Sequence, residues 1–168
     1  MRETLKALEE LKKKKVIEDY AIGGGIATVF YTEPFVTDDL DIFVIAKRDE
    51  SKKMIDLTPI FKYLTNKGYV WKGEHIEVEG IPVHIFSVNE LEEEAVKNAK
   101  ETKYQGVNTK VLTPEYLIAI LLRVGRSKDK EKILKLFEQT KINKKKLKDI
   151  LKRYKIIEKY NEIKEQLL

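Results

Sequence analysis

The stretch "AIGGGIATVFYTEPFVTDDLDIFVIA", Ala21 to Ala46, decides the fold. It opens on three glycines, Gly23, Gly24 and Gly25, and closes on an apolar run with two carboxylates, Asp39 and Asp41, at alternate positions. "DYAIGGG" reads as a short strand ending in a glycine turn, "IATVFY" as a short helix interrupted by Pro34, and "DLDIFVIA" as a strand. Alternation in that strand puts Leu40, Ile42 and Val44 on one face and Asp39, Asp41, Phe43 and Ile45 on the other, with Asp38 pointing away from the pair. Two like charges that close raise each other's pKa unless a cation relieves them. The strand either uses the pair or places it at an end open to water.

The glycines supply the other half of the chemistry. Bare backbone N–H groups at a strand–helix turn, with a helix N-terminus behind them, make an anion site. A phosphate at Gly23 to Gly25 and a dication on Asp39 and Asp41 would neutralise each other, which is the logic of phosphoryl and nucleotidyl transfer. Thr37, two residues before Asp39, adds a hydroxyl on the same face. The chain has no cysteine and two histidines, which excludes thiolate sites and argues against zinc. Carboxylate oxygens then point to magnesium or manganese.

Working outward, Leu5, Leu8 and Leu11 form one stripe of a helix over Arg2 to Val16. "LTPIFKYLTNKG" reads as a helix stopped by Gly68, and Tyr69 to Val88 as a meander of three short strands. Asn89 is the expected N-cap of a helix reaching Lys100, and "TKYQGVNTKVL" a further pair of strands. Thr113-Pro114-Glu115 starts a helix with a hydroxyl cap, a first-turn proline and an acid near the dipole. "EYLIAILLRV" is apolar nearly all round, hence central, and Gly125 ends it. "DKEKILKLFEQT" and one long helix, "KKKLKDILKRYKIIEKYNEIKEQ", complete the chain. Leu147, Ile150, Leu151, Tyr154, Ile157 and Ile163 lie on one face of that last helix. The expected fold class is α+β: an α/β core over 1–112 around a small mixed β-sheet, and a helical C-terminal subdomain over 113–168.

The bulk numbers fit a folded chain with a real core: 168 residues, 42% of them apolar. No apolar run reaches the roughly 20 residues of a membrane span, and "MRETLKALEELKKKK" lacks the apolar core of a signal peptide, so a cytoplasmic location and no membrane partner are expected. The 36% charged content suits a heat-loving source. The net charge is +5, and the segment from Lys141 onward alone carries ten basic against four acidic residues, so the rest of the chain is near −1. That segment reads either as a solvated helix face or as a basic nucleic-acid or protein contact.

Glycines at a strand–helix turn, then roughly a dozen residues, then Asp-x-Asp in a strand, resemble the signature of the nucleotidyltransferase fold, whose best-known member is DNA polymerase beta. "GGGIATVFYTEPFVTDDLDIFV" is similar to the compact bacterial and archaeal branch that includes abortive-infection toxin-type proteins. "TPEYLIAILLRVGRSKD", Thr113 to Asp129, resembles the pattern in that branch's helical part, and the likeness spans residues 15 to 155. The resemblance implies that Asp39 and Asp41 are catalytic, binding Mg2+ (or Mn2+) and a nucleoside triphosphate. It implies that Gly24 and Gly25 cradle phosphates, that Arg126 and Lys128 face phosphate and that Asp129 orients a partner. It further implies transfer of a nucleoside monophosphate to a hydroxyl of protein, RNA or a small molecule, and a cognate antitoxin as a partner.

Three positions depart from that pattern. The third acid expected on "EGIPVHIF" aligns with His84, a possible metal ligand, with Glu77 and Glu79 as substitutes. Phe35 stands where an arginine is expected, and Leu121 where a lysine is. These losses favour an alternative, a catalytically impaired nucleotide-binding pseudoenzyme with a regulatory role. His75, beside a hairpin turn, is expected to be exposed, and Tyr63, Tyr69 and Trp71 read as core packing or as a base-stacking platform.

Overall fold

The computed structural model describes residues 1–48, 51 and 55–165. The chain begins with helix α1 (Arg2–Lys13), whose Leu5, Leu8 and Leu11 are fully buried. Strand β1 (Ile17–Ile22) leads directly into helix α2 (Gly24–Val29), and a segment without regular structure carries the chain to β2 (Leu40–Ala46). Helix α3 (Thr58–Asn66) precedes the meander β3 (Val70–Lys72), β4 (His75–Val78) and β5 (Ile81–Ser87). Then come α4 (Glu90–Lys97), the hairpin β6 (Lys100–Tyr104) and β7 (Val107–Val111), and helices α5 (Pro114–Val124), α6 (Ser127–Gln139), α7 (Lys144–Arg153) and α8 (Ile157–Lys164).

The seven described strands form one mixed sheet in the order β3-β4-β5-β2-β1-β7-β6. β1–β2, β3–β4, β4–β5 and β6–β7 pair antiparallel, whereas β1–β7 and β2–β5 pair parallel. The fold is thus α+β, as expected from the sequence. Leu40, Ile42 and Val44 are completely buried on the core face of β2, so the predicted alternation holds. One apolar cluster runs from Leu5 through the sheet to α5, α6 and α7, and α5 is buried along nearly its whole length. Among the described residues no helix is long and apolar enough to cross a membrane.

Several local expectations need correction. α4 stops at Lys97, because Lys100 is already paired in β6. Its N-cap is Asn89 as expected, in a full capping box with Glu92. Thr113 occupies the N-cap position of α5, yet its buried hydroxyl has no hydrogen-bond partner among the described residues. The long C-terminal helix is two helices. The chain breaks at Tyr154 to Ile156, where Lys155 adopts φ +56° and Ile156 turns into the core. The expected helical end at Gln166 lies outside the described residues.

Candidate active site

The site begins where β1 ends. Ile22 sits opposite Ile42, and the Gly23 N–H donates to the Asp41 carbonyl at 2.9 Å, so the chain turns into α2 directly over Asp41. Gly23 is the N-cap of α2, and Gly24 and Gly25 are its first turn. Each glycine makes room for a different side chain. A Cβ on Gly23 would stand 2.7 Å from Phe43 Cδ2, one on Gly24 2.7 Å from Asp41 Cγ, and one on Gly25 3.0 Å from Thr37 Cβ. Gly24 also has φ +56°, a conformation that L side chains seldom adopt. The glycine turn and the Asp strand are therefore in direct contact.

β5 lies parallel beside β2 and places His84 opposite Asp41. Asp39, one residue before β2, has its Oδ2 3.7 Å from His84 Nε2. On β4 His75 is half-buried rather than exposed, with its ring 5.6 Å from that of His84. Asp38 also lines this cleft instead of pointing away. The reason is that strand alternation begins only at Leu40, and residues 34–39 are irregular. Glu77 pairs with Lys72 at 2.5 Å and Glu79 sits in the β4–β5 turn at φ +50°, so neither takes the third-acid position. Tyr63 donates to Glu10 on α1, and Trp71 packs edge-on against Phe61 at 4.5 Å, so packing is their role.

Burial first, and then the Asp39 charge, raises the Asp41 pKa above the ordinary carboxylate value. His84, Lys132 and Arg126 oppose that shift. Among the described residues the Asp41 carboxylate has no hydrogen-bond or ion-pair partner. Positive charge stands nearby without touching it. Asp129 is 1% exposed and accepts from Arg126 (Nε at 2.9 Å) and Lys132 (Nζ at 3.3 Å), fixing both cations at the start of α6. The Arg126 pKa is raised, chiefly by its hydrogen bond to Asp129, so it stays a permanent cation.

Two cavities flank the Asp pair. A cleft of about 450 Å³ opens beside Asp39, His75 and His84, with Lys128, Lys132 and Lys135 as its far wall. A second, of about 220 Å³, lies beside Asp41 and Arg126 over the stacked rings of Phe43 and Phe86, which are 5.4 Å apart. The structure thus brings together Gly23, Gly24, Gly25, Thr37, Asp39, Asp41 and His84, with Arg126 and Lys128 at the two cavities. Asp129 stands behind them, holding Arg126. Sequence reasoning missed His75, Lys132 and Lys135. The last two had a signal: Lys128, Lys132 and Lys135 follow i, i+4, i+7, one face of a helix. Lys135 Nζ lies 5.7 Å from the Phe35 ring, so α6 brings a cation to the place where the expected arginine is missing.

These residues suit a cation. Two carboxylates stand together, one of them partly buried and unpartnered, under a glycine with no room for a side chain. As the side chains stand, no three His, Asp or Glu groups among the described residues are gathered tightly enough to hold a metal ion.

No family model and no curated protein matches the chain. Solved structures do. An antigenic nucleotidyltransferase-like protein from Paracoccidioides brasiliensis superposes with TM-score 0.55 at 17% identity, over 97% of this chain and 89% of its own. ANT(2'')-Ia in complex with adenylyl-2''-tobramycin gives TM-score 0.54 at 12% identity, over 94% and 97% of the two chains. The solution structure of the antibiotic-resistance factor ANT(2'')-Ia gives 0.50 at 13% identity. At such identities the likeness concerns architecture alone: the mixed sheet and its helices match the fold of these nucleotidyltransferase-like structures.

Proposed function

We propose that this protein binds a nucleoside triphosphate at Asp39 and Asp41 and transfers its nucleoside monophosphate to a hydroxyl acceptor. One observation carries the reading. The Asp41 carboxylate is held partly buried beside Asp39, among the described residues no cation is paired to it, and Asp39 lines one cavity while Asp41 lines the other. A protein keeps such a destabilised charge where a ligand supplies its counter-charge. Asp39 and Asp41 would hold Mg2+ or Mn2+, which when bound neutralises phosphate oxygens and the developing charge.

The chain's own residues supply the rest. Lys128, Lys132 and Lys135 face the phosphate chain from α6, and Arg126, fixed by Asp129, approaches from the Asp41 side. Thr37 and the backbone of Gly24 and Gly25 border the phosphates opposite the lysines. The acceptor oxygen attacks the α-phosphorus. The new P–O bond forms as the bond to the bridging oxygen breaks, pyrophosphate leaves, and the hydroxyl proton passes to solvent. Lysines and a guanidinium around the phosphates act electrostatically, the dominant device in phosphoryl transfer. A hydroxyl of RNA, of a protein or of a small molecule meets the chemical requirement.

A second reading, nucleotide binding with impaired transfer, is favoured by His84, which stands where a third carboxylate is expected. Two measurements separate them. Dication-dependent triphosphate binding is expected under both readings. Incorporation of labelled nucleotide into an acceptor fraction is expected under the first, with a loss of at least about 100-fold in Asp41→Ala. Triphosphate binding by an Asp39→Ala, Asp41→Ala variant equal to the parent's would show the site to be elsewhere.

A further inference from the structure

We propose that the exposed face of α7 binds a nucleic-acid strand through its phosphates alone, RNA and DNA alike. The proposal does not depend on the reading of Asp39 and Asp41. Lys144, Lys145, Lys148 and Lys152 are all exposed. At the helical repeat they fall within about 100° of the circumference. Leu147, Ile150 and Leu151 lie on the opposite side and are buried, so the helix is held firmly with its lysines outward. Lys141 and Lys155 flank the helix and are exposed too. None of these six ammonium groups has a hydrogen-bond or ion-pair partner among the described residues. Asp149 is the single acid of α7, and Arg153 takes it at 2.9 Å.

These charges are placed against the stability of the helix itself. α7 opens on Lys144, Lys145 and Lys146 with no acid in its first turn, where the helix dipole disfavours cations. Lys144, Lys148 and Lys152 follow at i, i+4 and i+8, so like charges meet one turn apart twice. α4 shows the favourable arrangement in the same chain: Glu90, Glu92 and Glu93 open it and Lys97 closes it. A face kept for solubility alone mixes its signs, as α6 does, where Lys132 meets Asp129 at 3.3 Å and Lys135 meets Glu131 at 3.9 Å. Two local rules broken on one face imply a partner that supplies the missing negative charge. The chemistry of that partner follows from what the face lacks. The exposed residues of α7 are all charged, so the face has no aromatic or apolar centre for a protein interface and nothing to insert into a lipid surface. A regular row of cations, each step of four residues rising about 6 Å, fits a regular row of phosphates and reads no base.

The test uses the full chain and fluorescein-labelled single strands of about 12 nucleotides, one of uridylate and one of thymidylate, followed by anisotropy from about 50 to 200 mM salt. Chelator is present, so that no dication bridges a strand to Asp39 and Asp41. Four phosphate contacts predict a slope of log K against log salt of about −3 for the parent. Lys144→Gln, Lys145→Gln, Lys148→Gln and Lys152→Gln together should weaken both strands at least about tenfold and flatten that slope. The same variant should melt no lower than the parent, because the removed charges repel one another. Lys128→Gln with Lys135→Gln, in the cleft wall, should change strand binding less than about threefold. Binding by the fourfold variant within about threefold of the parent overturns the proposal, as does loss of the strands in the cleft variant alone. A lower Tm in the fourfold variant would show that the lysines serve the fold, and overturns it too. A preference of about tenfold for one sugar would exclude recognition through phosphates alone. Competition by poly-L-glutamate equal to that of an unlabelled strand of the same charge would assign the face to an acidic protein instead.

Discussion

Two acidic side chains in this molecule are treated in opposite ways. Glu94 on α4 accepts from both terminal nitrogens of the Arg153 guanidinium (2.8 and 2.7 Å), from the Tyr116 hydroxyl at 2.6 Å and from the Tyr154 hydroxyl. The Arg153 hydrogen bond first, and then those tyrosines, hold its pKa down to about 2. Asp41 has no such partners, and burial beside Asp39 pushes its pKa up. Glu94 ties α4, α5 and α7 together, whereas Asp41 is a charge the fold leaves uncompensated. The contrast separates a carboxylate placed for stability from one to which the proposed function assigns a ligand.

The sharpest way to break that contrast is to remove the first carboxylate. Glu94→Ala takes the acceptor from the hydroxyl of the 3%-exposed Tyr116 and leaves Arg153 with Asp149 alone and the Tyr154 hydroxyl with the Glu90 carbonyl. A loss of about 2–3 kcal/mol is expected, seen as a fall in Tm of roughly 5–10 °C. The pH dependence follows from the sign of the shift. A depressed carboxylate stabilises the fold above its unfolded pKa, near 4.5, and that contribution disappears as pH falls towards about 2. The gap in Tm between parent and Glu94→Gln should therefore close over that window. A gap that stays constant to pH 2 would mean that Glu94 packs rather than pairs.

Gly24→Ala comes next. The new methyl would collide with the Asp41 carboxyl at a residue with φ +56°. A cost of about 1–3 kcal/mol is expected together with loss of triphosphate binding. The same substitution at Gly106, with φ +80° but nothing within 4 Å, should cost stability alone and leave binding intact. Equal effects on binding at the two glycines would dissolve the link between the turn and the Asp pair.

Asp41→Asn tests the other carboxylate and has the opposite sign from Glu94→Ala. Its raised pKa means that ionisation works against folding as pH climbs from the unfolded value through the folded one. Removing the charge should raise stability by about 1 kcal/mol at neutral pH while transfer is lost. The gain should shrink in acid as the parent's own Asp41 takes up a proton. Thermal unfolding of the two proteins at pH 7 and pH 4 checks both statements, and a lower Tm for Asp41→Asn at pH 7 would contradict them.

What the sequence made legible follows from how local each signal is. Gly24 and the alternation of Leu40, Ile42 and Val44 are backbone and period-two statements, so the turn, the strand and the position of the Asp pair could be read directly. Asp38 was misplaced because alternation was extended two residues beyond the strand, which begins at Leu40. His75 was missed because its nearness to His84 depends on the register of β4 against β5, a non-local fact. The break between α7 and α8 has no glycine or proline to mark it. Lys155 takes the left-handed conformation because Ile156 has a place in the core, which only packing decides.

The smallest expected effect concerns the lysines of α6, which look like a solvated face in the sequence and form a cavity wall in the fold. They are not equivalent. Lys132 is 15% exposed and shares Asp129 with Arg126, so Lys132→Ala removes a charge from the cavity wall and also loosens Arg126. Lys135 rests over the Phe35 ring, has a distant 3.9 Å contact with Glu131, and carries little of the fold. Lys135→Ala should therefore weaken triphosphate binding by about three- to fivefold, within the 1 kcal/mol of a screened surface interaction, and leave Tm within a degree or so. Phe35→Arg, which restores the expected cation a few ångströms away, should recover that loss in the Lys135→Ala background. Calorimetric titration of the two variants with the same nucleotide decides it. Failure of Phe35→Arg to recover binding would place the phosphate chain away from Lys135, on the Arg126 side of the Asp pair.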